Sequence, residues 1–327
     1  MLFRSLVAEA PDVPDGRLYD GQLAEHAVSA LQRLKANSQP FFLSVGFTRP
    51  HVPYVAPRRY WELYNPSEIT LAANPRAPVG APPWALLETQ DNDGYHDFPE
   101  EYRVDDVLAR RLIHGYLACV TYTDAQIGKV LSELDRLGLA ENTVVVLTAD
   151  HGYHLGENSR WGKQTCFEAA TRVPLIVSAP GRGVRGRKSS RLVESVDVFP
   201  TLCELANLSP PIGLEGTSFT PLLDNPSRSW KRAAFSQFPR PARSSAPGVS
   251  TEPDDKMGYA MRTERHRYVE WRFVGRPREI AARELYDYER DPGETRNLAE
   301  DPAQRGLLEQ LQQQFEAGWR GAVPSLV

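Results

Sequence analysis

The feature that most constrains the fold of this chain is a pair of short, near-continuous apolar runs, TVVVLTA at residues 143–149 and VPLIVSA at residues 173–179. A strand with one wet face alternates apolar and polar residues, whereas a strand covered on both faces reads as an unbroken aliphatic stretch. Both runs are of the second kind. They predict an α/β fold in which a mostly parallel sheet is flanked by helices. A third run, FFLSVGF at residues 41–47, lies between Pro40 and Pro50 and predicts a further strand.

Helical periodicity fills the spaces between these runs. Residues 21–35 place Leu23, Ala27, Ala30, Leu31 and Leu34 on one face. Residues 104–137 carry apolar side chains at mostly three- and four-residue spacing and predict one long helix, broken near Thr121 to Thr123. Residues 197–208 predict another. A proline-rich polar excursion at residues 65–95 is longer than an ordinary connection, which marks it as functional or as an insertion around a site. A turn-rich basic loop, PGRGVRGRKSS, follows the second aliphatic run.

The texture changes after Pro221. Residues 224–257 are rich in Pro, Ser and Arg and read as a linker or variable loop. Beyond them, GYAMRTERHRYVEW predicts two short strands around a Thr-Glu-Arg-His turn. Residues 284–288 add a third strand, and residues 302–319 predict a terminal amphipathic helix. The expected organisation is a main domain at 1–223, the linker at 224–257, and a small C-terminal α+β module at 258–327.

Composition excludes several classes of function. With 38 basic and 42 acidic residues the formal net charge is −4, so the net field favours neither nucleic acid nor an anionic membrane. No apolar run approaches the roughly 18 residues of a membrane span. The opening MLFRSLVAEAPDVPDG is too brief in its apolar part for a secretory signal, and localisation is left open. Cys119, Cys166 and Cys203 are few and widely spaced, which argues against a disulfide framework and a structural zinc site.

The chemistry concentrates where the first aliphatic run ends, in LTADHGYHLGE at residues 147–157. In open α/β sheets reacting groups gather beyond the carboxyl ends of strands. Asp150 and His151 stand there, followed by Gly152, which permits a tight exit that aims both side chains at one point. A carboxylate ligates hard cations, and an imidazole ligates a cation, donates to an anion or relays a proton. Thirteen residues on, Lys163 in RWGKQT offers a compact cation suited to a tetrahedral oxyanion. Upstream, His51 in GFTRPHVPY is flanked by Pro50 and Pro53, whose rings restrict the backbone. Taken singly, each residue also has an ordinary reading as a cap, a loop cation or a surface histidine.

Four stretches carry a family resemblance: GFTRPHVPY, TADHGYHLGENSRWGK, EAATRVPLIVSAPG and ELYDYERDPGETRNLA. In order and spacing they resemble type I sulfatases of the alkaline phosphatase superfamily, most closely the iduronate-2-sulfatase branch, over essentially the whole chain from about Asp12. The resemblance implies a partial alkaline-phosphatase-like fold and hydrolysis of a sulfated sugar or related sulfate ester. It implies that Asp150 and His151 occupy metal positions, with Asp150 a calcium ligand, and that His51 and Lys163 hold the sulfate. Asn158 stands where that branch often has histidine.

Two family features are missing. A formylglycine nucleophile is expected from a C/S-x-P-x-R motif, and calcium is expected on an early aspartate pair. Ser178 to Arg182 match the bare spacing, but they follow the second aliphatic run and lack the rest of the motif. The pairs Asp105–Asp106 and Asp254–Asp255 follow no early strand. The chain therefore reads as the later portion of a sulfatase, with an incomplete calcium site, no turnover alone, and self-association through exposed apolar surface. Two further readings stay open, a phosphate or phosphonate ester hydrolase of the same superfamily and a non-catalytic binding or assembly fragment.

Overall fold

The computed structural model describes residues 6–86, 91–92, 94–98, 104–183, 185–240 and 254–324. Parts of the proline-rich excursion (87–90 and 93) and of the linker stretch (241–253) thus lie outside the described residues. The chain divides into two units, Met1–Ala73 with Thr89–Thr143, and Asn74–Glu88 with Val144–Val327.

In the first unit, β1 (Ala8–Glu9) pairs in parallel with β2 (Tyr54–Val55), alongside helices α1 (Tyr19–Asn37), α2 (Arg58–Trp61) and α3 (Asp106–Arg136). The apolar stripe of α1 buries Ala24, Ala27 and Leu31, and that of α3 buries Leu112, Ala118, Cys119 and Tyr122. Asp105 caps α3, its carboxylate accepting the Leu108 amide at 2.8 Å. The helix runs through Thr121 to Thr123 without the expected break. Both hydroxyls find acceptors without disturbing the ladder, Thr121 on the Leu117 carbonyl one turn back and Thr123 on the carbonyl of Arg49.

The second unit contains β3 (Val145–Thr148), the hairpin strands β4 (His154–Leu155) and β5 (Trp161–Gly162), α4 (Glu168–Thr171), β6 (Leu175–Ser178), α5 (Val198–Leu205) and α6 (Thr220–Asp224). A four-stranded antiparallel sheet follows, built from β7 (Ala234–Arg240), β8 (Lys256–Arg262), β9 (His266–Phe273) and β10 (Arg276–Asp287) in the order β10-β9-β8-β7. It is completed by α7 (Arg305–Glu316) and α8 (Gly318–Ala322). Successive side chains on these strands go to opposite faces. Ala260, Val269, Trp271 and Tyr286 pack with Ala85, Cys166 and Phe167, while Met261, Tyr268 and Leu285 pack with Leu311 of α7 and Ala322 of α8. Strand β7 falls inside the stretch read as linker.

The expectation of a mostly parallel sheet is overturned, although helices do flank the sheets. Among the named strands β1 and β2 alone pair in parallel, with one further isolated parallel bridge between Val79 and Arg296; β3 with β6, β4 with β5, and all of β7 to β10 are antiparallel. The reason lies in the connection. Thr148 pairs with Leu175 and Val145 with Ser178, so the chain leaves β3 and enters β6 at the same end of the ladder. A parallel pair needs a crossover back to the opposite end. Residues 41–47 form no strand; they alternate half-buried and exposed, and Phe42 is 82% exposed. No helix among the described residues is long and apolar enough to cross a membrane.

Candidate functional site

Gly152 anchors the turn that carries Asp150 and His151. Its amide donates to the Ala170 carbonyl at 2.8 Å, and a Cβ in its place would lie 2.1 Å from the Ala169 oxygen and 2.9 Å from the Arg172 oxygen. Glycine is needed here because two backbones meet, not because a left-handed turn demands it. The close approach docks the turn on α4. That helix is itself held from below: the Glu168 amide donates to the Glu294 carboxylate at 2.8 Å, and the buried Arg267 guanidinium bridges Glu168 and Glu294.

Within the turn, the His151 amide donates to Asp150 Oδ1 at 3.0 Å, and His151 Nδ1 lies 2.8 Å from the Gly152 carbonyl. A carbonyl only accepts, so Nδ1 carries a proton, and Nε2 is the nitrogen turned toward Asp150. Nε2 stands 3.5 Å from Asp150 Oδ2. A cation or a proton on Nε2 would bridge the two groups, and water also reaches the Asp150 carboxylate, whose side chain is 87% exposed. Calcium demands six to eight ligands, mostly oxygens. Among the described residues no group of three or more His, Cys, Asp or Glu is arranged to hold a metal, so this pair by itself falls short of a calcium shell.

Lys163 follows the β4/β5 hairpin. His154 staples that hairpin from inside, with Nδ1 3.1 Å from the Glu157 carbonyl and Nε2 2.9 Å from Thr165 Oγ1. Burial pushes its pKa down to about 4, so it is a neutral structural imidazole with no accessible surface for substrate. Asn158, in a left-handed conformation at φ 54°, donates to the carbonyls of Gly293 and Glu294, and its amide donates to the Asn74 carbonyl. On the other flank, buried Arg240 donates to the carbonyls of Gln164, Trp84 and Ala85, while Thr165 N donates to the Lys163 carbonyl at 2.8 Å. Trp161 is buried and anchors the hairpin.

His51 belongs to the first unit. Its Nδ1 lies 2.6 Å from the Val52 carbonyl, and a carbonyl only accepts, so Nδ1 donates there. The residue that fixes its loop was not singled out from the sequence. Buried Asp20, in the first turn of α1, accepts the amides of Thr48 at 2.9 Å and Arg49 at 2.8 Å, one on each carboxylate oxygen. No local pattern links Asp20 to a segment 28 residues later; its only sequence signal is an aspartate at a helix start, which has an ordinary dipole explanation.

Two further residues, His114 and Ser178, have positions set by ordinary backbone partners. His114 Nε2 lies 2.8 Å from the Trp61 carbonyl. Ser178 pairs with Val145, at the end of the β3/β6 ladder opposite Thr148 and the Asp150 turn. Three strand residues separate them, roughly 10 Å of rise.

Comparison with known proteins aligns with this description. The family model described as sulfatase matches residues 3–208, and that of the C-terminal part of N-sulphoglucosamine sulphohydrolase matches residues 156–319. Iduronate 2-sulfatase of Mus musculus is 33% identical over 371 residues, covering 93% of this chain and 66% of the relative. The Homo sapiens protein is 34% identical and covers 92% and 65%. The chain therefore spans just under two thirds of the length of these curated relatives. Among solved structures, the phosphonate monoester hydrolase of Silicibacter pomeroyi superposes with a TM-score of 0.78 at 25% identity, covering 96% of this chain and 62% of that one.

Proposed function

We propose, on the premise that this chain belongs to the sulfatase family, that it supplies the sulfate-holding part of a sulfuric ester hydrolase acting on a sulfated sugar or a related sulfate ester. In this reading Lys163 neutralises charge on the sulfate oxygens, and His51, through Nε2, donates to a sulfate oxygen or to the departing ester oxygen. Asp150 and His151 contribute to a calcium site whose other ligands they do not supply. Calcium, when bound, would withdraw charge from the sulfate and lower the cost of attack at sulfur. The observation that supports the reading best is the fixing of the backbone around Lys163, with the Thr165 amide on the Lys163 carbonyl, His154 on Thr165 and Arg240 on the Gln164 carbonyl, in the same β3–β6 connection that holds the Asp150 turn on α4.

Hydrolysis also requires a nucleophile. The C/S-x-P-x-R spacing at Ser178 stands at the far end of the ladder from the Asp150 turn, which supports leaving it out of the chemistry. The chain alone, supplied with calcium, is expected to release no sulfate from an aryl sulfate. Sulfate-release kinetics with mass analysis of Ser178 test this. Turnover that disappears in Lys163→Ala, or an aldehyde at Ser178, would overturn it.

A second reading is carried by the fold likeness to a phosphonate monoester hydrolase. Lys163 and His51 suit a tetrahedral phosphorus centre as well as a sulfur one. Inhibition constants of inorganic sulfate and phosphonate against any turnover recovered when the missing groups are supplied would separate the two.

A further inference from the structure

The chain is net negative, yet residues 181–191, GRGVRGRKSSR, hold five cations and no carboxylate. This loop is fastened rather than left to solvent. Ser189 Oγ donates to the Pro226 carbonyl at 2.7 Å, and Arg191 Nη2 donates to the Ser227 carbonyl at 2.9 Å. Arg182 pairs with Asp224 at 3.3 Å, and Arg191 pairs with Glu264. At Gly183 the loop presses so closely on the neighbouring turn that a Cβ would lie 2.6 Å from the Leu223 oxygen. The fastening arginines sit at the two ends. Between them Arg187 and Lys188 are exposed with no ion-pair partner among the described residues, and so is Arg228, next to the turn residues that the loop grips.

We propose that this seam, centred on Arg187, Lys188 and Arg228, is a docking surface for a sulfated polysaccharide, separate from the candidate site at Lys163. Exposed cations on a loop fastened at both ends bind a polyanion by releasing its condensed counterions. Neither the loop nor residues 224–228 contain an aromatic side chain, so the surface lacks the stacking platform that single-stranded nucleic acid uses. The choice of a sulfated glycan as occupant rests on the sulfated-sugar reading above. Such a surface would hold a long chain near the site while individual ester groups are presented.

The test is fluorescence anisotropy of a labelled heparin oligosaccharide across a salt series. The Arg187→Gln, Lys188→Gln, Arg228→Gln variant is expected to bind at least about tenfold more weakly at low salt. Its slope of log affinity against log salt should be shallower by about two. A control carrying Arg33→Gln, Arg58→Gln and Arg305→Gln changes net charge equally and should keep the wild-type slope. No binding by the wild type, equal losses in both variants, or a loss confined to the control would overturn the proposal. Equal affinity for single-stranded RNA, lost in the same variant, would overturn the glycan assignment. Binding lost in Lys163→Ala but kept in the seam variant would place heparin at the candidate site, sinking the docking surface while leaving the proposed function intact. Absence of aryl-sulfate chemistry when the missing groups are supplied would do the reverse.

Discussion

At Gly152 a single hydrogen atom decides whether the Asp150 turn can sit on α4. Gly152→Ala is expected to cost about 1–3 kcal/mol, because the methyl meets two backbone oxygens that cannot move without shifting the helix. Gly128 gives the contrast. It lies within α3 with open space where a Cβ would go, and Gly128→Ala should stabilise by roughly 0.5–1 kcal/mol. Urea unfolding of the two variants checks the difference in sign. His154 makes a pH prediction. Its folded pKa of about 4 lies below the ordinary value of 6.5, so between those values the unfolded chain binds the extra proton. Stability is therefore full above the unfolded pKa and falls as pH drops toward the folded one, by about 1 kcal/mol from about pH 7 to about pH 5.5 and about 3 kcal/mol in all. His154→Gln should flatten that fall, although its baseline stability will be lower; an unchanged slope in urea titrations at the two pH values would remove His154 as the cause.

At the scale of elements, the loops that hold the candidate residues are set by partners far away in sequence. Asp20 grips both amides at the start of the His51 loop. Asp20→Ala would leave the Thr48 and Arg49 amides without their carboxylate, at a cost of about 1–3 kcal/mol. Asp20→Asn keeps one acceptor but turns a donor toward the other amide. Hydrogen exchange at Thr48 and Arg49 should accelerate in both variants, with the Tyr54 amide, bonded to the Val7 carbonyl, as the reference. The same distance effect explains what the sequence revealed. The helices at 21–35, 104–137 and 302–319 were legible because periodicity is local, as was the hairpin around Thr263 to Arg265. Strand direction was not. Continuous aliphatic character reports covered faces, whereas parallel or antiparallel pairing depends on which end the connection returns to. Among the candidates, His51, Asp150, His151 and Lys163 stood out by residue type and motif; Asp20, which holds the His51 loop, and Arg240 and Glu294, which hold the backbone beside Lys163 and at α4, carried no motif of their own chemistry.

For the molecule as a whole, the apolar runs that constrained the fold are less covered than their sequence requires. Ile176 on β6 is 63% exposed and Phe42 in the unpaired 41–47 segment 82% exposed, and around α5 Val196, Phe199, Leu208 and Ile212 are all more than half exposed. Side chains of this kind lose roughly 1.5–3 kcal/mol of burial each when left in water. Aliphatic stretches with exposed faces and an unpaired backbone seek a partner, whether another segment or a second copy of the chain. The purified chain is thus expected to self-associate as its concentration rises, and the association should weaken when these positions are made polar. Phe42→Ser, Ile176→Thr and the pair Phe199→Ser with Ile212→Ser, made as three separate variants, lie in different stretches, so light scattering coupled to size exclusion can show which stretch drives it. Ile176→Thr keeps the β-branched shape of the strand position, so a drop in mass for that variant would report lost apolar contact rather than a lost strand. A wild-type chain that stays monomeric across a hundredfold concentration range, about 3 kcal/mol of association free energy, would show that the exposed aliphatic faces are tolerated in water as they stand.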